Sequence, residues 1–336
     1  MFYVFKHNLL CLLSDRKYPI QCAGGNLVLA RNPNYDGPGM TRLDGIAFVS
    51  APLDAAADMV NTGIVNAIAG LAPPRSASDK SLAPNTAKEV VPGNAAYSLR
   101  FDVSRPPFNN TLVRRAFGAA IDRAALIAEA VTGPARAATT LTPPEVPGAV
   151  ASGSGIGVEY DLQRARDLLA EAGFADFQTL GKVAVLYAPG EPDRALAESV
   201  SRSWQEAFGL TVSIETYGGA GDVRTRQASP AVWIERHEGP YMDADGWLRT
   251  MYRSDSALNI GGYAALAFDA AVDQGATFTD PIDRARAYRQ AETILVAIDV
   301  AVIPLYIEDA YRWSQDGLVE LLAPDGSVLI EAWDVP

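Results

Sequence analysis

Arg105-Pro106-Pro107-Phe108-Asn109-Asn110-Thr111-Leu112-Val113-Arg114-Arg115-Ala116-Phe117-Gly118-Ala119-Ala120-Ile121-Asp122-Arg123 is the segment from which the rest of the chain can be placed. Asn109 and Asn110 follow two prolines, and their side chains accept the orphan amide hydrogens of a first helical turn. Val113, Ala116, Phe117, Ala120 and Ile121 then fall on one face, as a helix packed on a core requires. Asp122 can cap a second helix running to Val131, with Gly133 beyond its end. Arg114 and Arg115, like Arg164 and Arg166 further on, read as charges on solvated helix faces.

Outward from this point the signals alternate between two periods. Upstream, Tyr97, Leu99 and Phe101 alternate with polar residues in a half-buried strand, and residues 27–34 read as a short strand ending at an Asn-Pro turn. Residues 43–50 are a further strand candidate and 53–60 a helix. Downstream, Asp161 opens a helix with Leu162, Ala165, Leu168, Leu169 and Ala172 on its apolar face, and Gly173 stops it. Val183–Tyr187, a helix carrying Leu196, Val200, Trp204, Ala207 and Phe208, and then Leu210–Ile214 make a strand-helix-strand unit with its strands parallel. Asp280 and Pro281 begin another helix, because proline suits the first turn. Ala301–Ile307 reads as a fully buried strand whose Pro304 marks a crossing between lobes. The Pro/Gly/Ser-rich stretches 71–85 and 142–157 read as surface excursions or hinges. This pattern predicts α/β lobes rather than a bundle or a sandwich.

The 336 residues suffice for two domains, with 49% hydrophobic and 20% charged residues close to globular averages. A formal net charge of −12 argues against nucleic acid or anionic lipid as partner. The two cysteines, Cys11 and Cys22, make neither a zinc site nor a disulfide scaffold, and their spacing does not decide whether they pair. The start, MFYVFKHNLLCLLSDRK, has too short an apolar stretch and no small-residue cleavage site, so no export signal is read there. No metal site and no cofactor are expected. Asp243-Ala244-Asp245-Gly246 lacks the rest of a calcium loop, and Gly218-Gly219-Ala220-Gly221 lacks phosphate-loop spacing.

The segment from Pro106-Pro107-Phe108-Asn109-Asn110 through Val113-Arg114-Arg115-Ala116-Phe117 to Ala120-Ile121-Asp122-Arg123 resembles the hallmark of the family 5 solute-binding proteins of ABC importers, which serve peptide, dipeptide, glutathione and nickel uptake. Further pieces follow in the family's order: Arg31-Asn32-Pro33-Asn34-Tyr35; Asn61-Thr62-Gly63-Ile64-Val65-Asn66; Tyr160-Asp161 through Leu168-Leu169-Ala170-Glu171-Ala172-Gly173; and Asp280, Arg284, Tyr288, Ala291-Glu292, then Ile303-Pro304-Leu305-Tyr306. The resemblance implies a two-lobed periplasmic-binding-protein-like fold of the type II, peptide-binding cluster. It divides the chain into an atypical segment 1–22, a partial lobe I of 23–108 plus 305–336, and lobe II of 109–304. Family members carry a longer segment before the Asn-Pro-Asn-Tyr motif, so a chain cut short at its N-terminus, with an incomplete first lobe, is expected.

By the same resemblance, the loop Trp233–Trp247 faces the ligand cleft. It implies Trp233, Tyr241 and Trp247 as apolar walls, Glu238 or Asp243 as holder of a ligand cation, Arg236 as an anion fork, and His237 among the contact residues. On an ungapped register from Trp247-Leu248, the acid that the family sets against a peptide amine falls at Pro240. The plainer alternative is an acidic, solvated loop with one structural tryptophan. The implied function is non-enzymatic: a monomer binding a small peptide or peptide-like solute between two lobes, docking on ABC permease subunits, in the periplasm or at the cell surface. A hydrolase using Glu238 and Asp243, and a fragment that folds without binding, are the rival readings.

Overall fold

The structure is a computed structural model. It describes residues 2–4, 20–23, 26–30, 33, 45–49, 51, 53–71, 86–150, 155–218 and 231–315. Segment 5–19 with Cys11, the side chain of Cys22, stretch 72–85 and the glycine run from 219 lie outside the described residues.

Two compact units divide the chain. The first takes Met1–Gly93, Thr132–Pro134 and Asp309–Pro336; the second takes Asn94–Val131 and Ala135–Glu308. The sequence places the boundaries at 108/109 and 304/305. The structure sets them at 93/94 and 308/309, because the second half of one long strand, β6 (Thr86–Phe101), is laddered into the second unit. Pro304 therefore lies inside the second unit, where its carbonyl accepts a bond of 2.8 Å from Arg123 Nε.

In the first unit β1 (Phe2–Val4), β4 (Gly45–Val49), β3 (Asn26–Ala30) and β2 (Ile20–Ala23) form a sheet in that order. The helix α1 (Leu53–Asn61) leads to β5 (Ala67–Leu71), which pairs antiparallel with the far end of β11 (Val302–Gln315). Asp309 joins this unit's three segments: Gly93 N–H donates to its Oδ1 at 3.0 Å, and its own N–H donates to the Pro134 carbonyl at 2.9 Å.

The second unit is a sheet covered on both faces. Its strands run in the order β11, β6, β10 (Ala231–Glu238), β8 (Val183–Tyr187), β9 (Val212–Thr216), and β7 (Ala135–Ala137) pairs with β11. β8 is parallel to both β10 and β9, and α5 (Asp193–Phe208) forms the crossover between β8 and β9 that the sequence pattern predicts. β6 runs antiparallel to β10, with Tyr97 opposite Arg236 and Arg100 opposite Trp233. Side chains alternate across a strand, so Tyr97, Leu99 and Phe101 share one face and Ser98 and Arg100 the other.

The first face packs on α2 (Thr111–Ala119), α3 (Arg123–Ala130), α4 (Leu162–Glu171) and α5. A relay of rings runs through it: Phe101 to Phe108 at 4.9 Å, Phe108 to Phe117 at 5.2 Å, and Phe117 to Trp204 at 4.7 Å. Trp204 Nε1 donates to the Phe117 carbonyl at 2.9 Å, so the indole is buried without an orphan donor. Each ring buried to this degree contributes about 2–3 kcal/mol. The opposite face packs on α6 (Ala244–Tyr252), α7 (Leu266–Thr277) and α8 (Pro281–Thr293) through Trp247, Leu248, Phe268, Tyr288 and Leu295.

The caps read from the sequence are in place. Asn110 accepts from Leu112 N–H, Asp122 from Ala124 and Ala125, Asp161 from Arg164, and Asp280 from Ile282 and Asp283. Two expectations are corrected. Arg114 is not on a solvated face but buried at 5% exposure. Its guanidinium donates to the carbonyls of Phe108 at 2.6 Å, Val300 at 2.9 Å and Asp299, fixing a turn in which Val300 takes a φ of 47°. A β-branched residue is strained in that region, and bonds to its carbonyl and to that of Asp299 hold it there. Residues 142–150, part of the stretch 142–157 read as a surface excursion or hinge, are instead packed: Val146 and Val150, with Leu141 just before them, belong to the core beneath α8.

Candidate functional site

The stretch Trp233–Trp247 is not one loop. β10 continues through Glu238, a turn follows, and α6 begins at Ala244. Trp233 and Trp247 are both 0% exposed. Trp233 lies under the sheet against Ala184 and Leu186, with the Arg100 guanidinium 5.3 Å from its ring. Arg100 is itself buried and held by Glu235 at 2.7 Å. Trp247 packs in the opposite-face core, edge-on to His237 at 6.2 Å. Neither indole offers a wall to a solute: Trp233 sits on a strand covered on both faces, and Trp247 is buried between α6 and that sheet.

His237 is also inward. Burial pushes its pKa down to about 4, with a bond to the Gly246 carbonyl offsetting part of the loss, so the ring is neutral at pH 7. Asp243 is engaged structurally. It accepts from Asp245 N–H at 2.9 Å as the cap of α6 and pairs with Arg284 at 2.8 Å. Tyr241 is 46% exposed, its hydroxyl donating to Asp245 at 2.7 Å. Asp245 also receives Tyr288 and Arg249. The Asp-Ala-Asp-Gly run is thus a cap and an ion-pair hub, and among the described residues no cluster of acids, histidines or cysteines is arranged to hold a metal.

Of the candidates, Arg236 and Glu238 reach solvent together, and other residues join them. Arg236 donates through Nε to Glu308 at 2.9 Å and through Nη1 to Glu238 at 3.3 Å. Tyr97, opposite Arg236 in the ladder, stacks on Tyr306 with ring centroids 4.6 Å apart and planes 12° from parallel. Both phenols are buried, and burial raises both pKa values. Asp193, in the first turn of α5, acts electrostatically on the two tyrosines. Its own pKa is raised to about 6 by burial, against a bond from Ala188 N–H and the through-space pull of Arg236; Glu191 and Glu308 push the same way as burial.

This edge collects the C-terminal ends of β8 and β10, the start of α5, and the points where β6 enters and β11 leaves the unit. In open α/β sheets that is where ligands are met. The arrangement is a polar rim over a tyrosine floor. Arg236 is already shared between two glutamates, so the acids Asp193, Glu238 and Glu308 outnumber the one guanidinium they surround. That suits a positively charged group better than the anion expected of Arg236. Tyr97, Asp193, Tyr306 and Glu308 were not read from the sequence, since nothing local in those segments says that the ladder brings them beside Arg236.

A sheet with helices on both faces and a polar rim at its strand ends is the architecture of a periplasmic-binding-protein-like lobe. Residues 22–259 match the family described as bacterial extracellular solute-binding proteins, family 5 middle region, and the chain belongs to that family. It is 30% identical over 244 residues to the probable deoxycholate-binding periplasmic protein YgiS of Escherichia coli, covering 70% of this chain and 42% of that protein. It is 28% identical over 225 residues to the periplasmic oligopeptide-binding protein OppA of E. coli, covering 65% and 40%. Among solved structures, HbpA2 from Haemophilus parasuis superposes with a TM-score of 0.81 at 20% identity, over 95% of this chain and 64% of that one. The chain thus spans about two fifths of the length of these curated relatives.

Proposed function

We propose that the chain is the solute-binding component of an ABC importer, acting without catalysis on a peptide or peptide-like solute that carries a positive charge. The observation behind this is the rim of the second unit: Arg236 bound to Glu238 and Glu308, with the partly buried carboxyl of Asp193 nearby and Tyr97 stacked on Tyr306 beneath. In this reading Asp193 and the glutamates meet a solute ammonium or guanidinium. Family membership supports the reading, as does the oligopeptide-binding activity named for a relative. The partners are permease subunits, the protein works as a monomer, and it resides in the periplasm or at the cell surface. Among the described residues no helix is long and apolar enough to cross a membrane.

The hydrolase alternative is weaker on geometry, because Asp243 is engaged as a helix cap and by Arg284. The test is a thermal-shift panel of di- to pentapeptides and glutathione on the purified chain. A solute binding only the native state stabilises it by about 2.7 kcal/mol at a hundredfold excess over Kd. The proposal predicts the largest shifts with lysine- and arginine-containing peptides. A panel without any shift contradicts it.

A further inference from the structure

Glu292 is the last acid of α8, and it is 1% exposed. Its Oε1 accepts two consecutive backbone N–H groups, from Leu141 and, at 2.8 Å, from Thr142. Those residues belong to a strap, residues 138–150, laid over α8 without secondary structure of its own. The strap is anchored at two more points. Ala138 N–H donates to the Leu305 carbonyl at 3.1 Å, and the Pro147 carbonyl accepts from Ala244 N–H at 2.9 Å. Gly148 comes within about a methyl group's reach of the Tyr288 ring and Ala244, at a φ of +83° that suits glycine.

A carboxylate this deep costs free energy unless it is well paired, and backbone N–H groups without a cation pair it only in part. The groups around it can be named. The strap brings the Thr142 hydroxyl and Glu145, which pairs at 2.9 Å with Arg136 of β7 and is partly exposed. The helix α6 brings the Tyr252 phenol, whose proton affinity Glu292 raises. On α8 itself Arg289 is exposed. No cation is among the influences on Glu292, and burial dominates them, pushing its pKa up to about 7.

We propose that Glu292 and the strap 138–150 form a proton-operated latch, closed over α8 while the carboxyl holds its proton and loosened once it ionises. The direction follows from linkage. In the open strap the carboxyl is hydrated and returns to its ordinary value, so closure is fully favoured below that value and loses ground as pH rises towards 7. The anchors give the latch a route to the polar rim. Leu305 directly precedes Tyr306, and Ala244 opens the helix that follows the Glu238–Asp243 turn. That last link rests on the solute-site reading, whereas the latch itself does not.

The test is hydrogen exchange by mass spectrometry on peptides spanning 138–150, corrected for intrinsic rates, at about pH 5.5 and about pH 8. Each pH unit above the open-state pKa weakens closure about tenfold until the closed-state value is reached. In the wild-type chain protection of the strap therefore falls by about tenfold or more across this interval. In Glu292→Gln, whose amide imitates the protonated acid, the fall is less than about twofold. Equal falls in both proteins overturn the proposal. If the variant does not fold, strap protection in the wild-type chain is followed in small pH steps beside infrared titration of the ¹³C-labelled carboxyls of Asp193→Asn, which removes the other acid raised towards neutrality. Strap protection lost in step with a carboxyl titrating near 7 upholds the latch, and protection that does not fall, or no such carboxyl, overturns it.

Discussion

Replacing Asp193 by Asn removes the one carboxyl at the rim that no side-chain cation holds directly; Arg236 acts on it only through space. Two unit charges about 4 Å apart interact by about 4 kcal/mol at the effective dielectric of a protein surface. Asp193 is only half-buried, so solvent screening leaves about 1–2 kcal/mol of that for a solute cation. About 1.4 kcal/mol is tenfold in affinity. Asp193→Asn therefore weakens trilysine about tenfold near neutral pH, and weakens trialanine by clearly less. The wild-type carboxyl has a pKa of about 6, so cation binding needs the ionised form and is lost as pH falls through that value. At about pH 5 roughly nine tenths of Asp193 is protonated, and wild type binds trilysine as the variant does. Isothermal titration of both peptides, at both pH values, measures all of this. A wild-type trilysine affinity that does not move with pH, or a variant that retains it, refutes the assignment. Trialanine binding without preference for trilysine refutes only the charge argument and leaves solute binding standing.

Two further substitutions test the framework beneath the rim. Arg114→Met strips donors from the carbonyls of Phe108, Asp299 and Val300, and should destabilise by about 3–5 kcal/mol in urea denaturation, since it orphans buried acceptors; a loss under about 1 kcal/mol contradicts the clamp. Gly239→Ala drives a methyl into the rigid Trp247 ring, so a loss of about 1–3 kcal/mol and altered tryptophan fluorescence are expected, and an unchanged melting curve speaks against that packing.

What the sequence disclosed and what it concealed have different physical origins. Caps such as Asp122 and Asp280 act over three residues, so their role is visible locally. The β8–α5–β9 unit declares itself through a change of period from two to 3.6 and back. The rim depends on register. Arg236 meets Tyr97 only because β10 pairs antiparallel with β6, and Glu308 joins them from a strand 72 residues on. Trp233 and Trp247 misled because polar neighbours surround them. The signal against an exposed Trp233 was the run Val232-Trp233-Ile234, apolar on both faces, which marks a strand covered on both sides. Arg114 misled in the same way: a charge on a helix reads as solvated unless the carbonyls it caps, here at the turn before β11, are known to lie opposite.

The central claim is that the rim of the second unit receives a solute. The most direct measurement is a hydrogen-exchange footprint of the full chain with and without the peptide that gives the largest thermal shift. The account predicts added protection confined to segments 94–97, 188–193, 236–241 and 306–308. Protection that leaves these segments unchanged and falls instead on α7 or on the outer faces of α3 and α4 contradicts it.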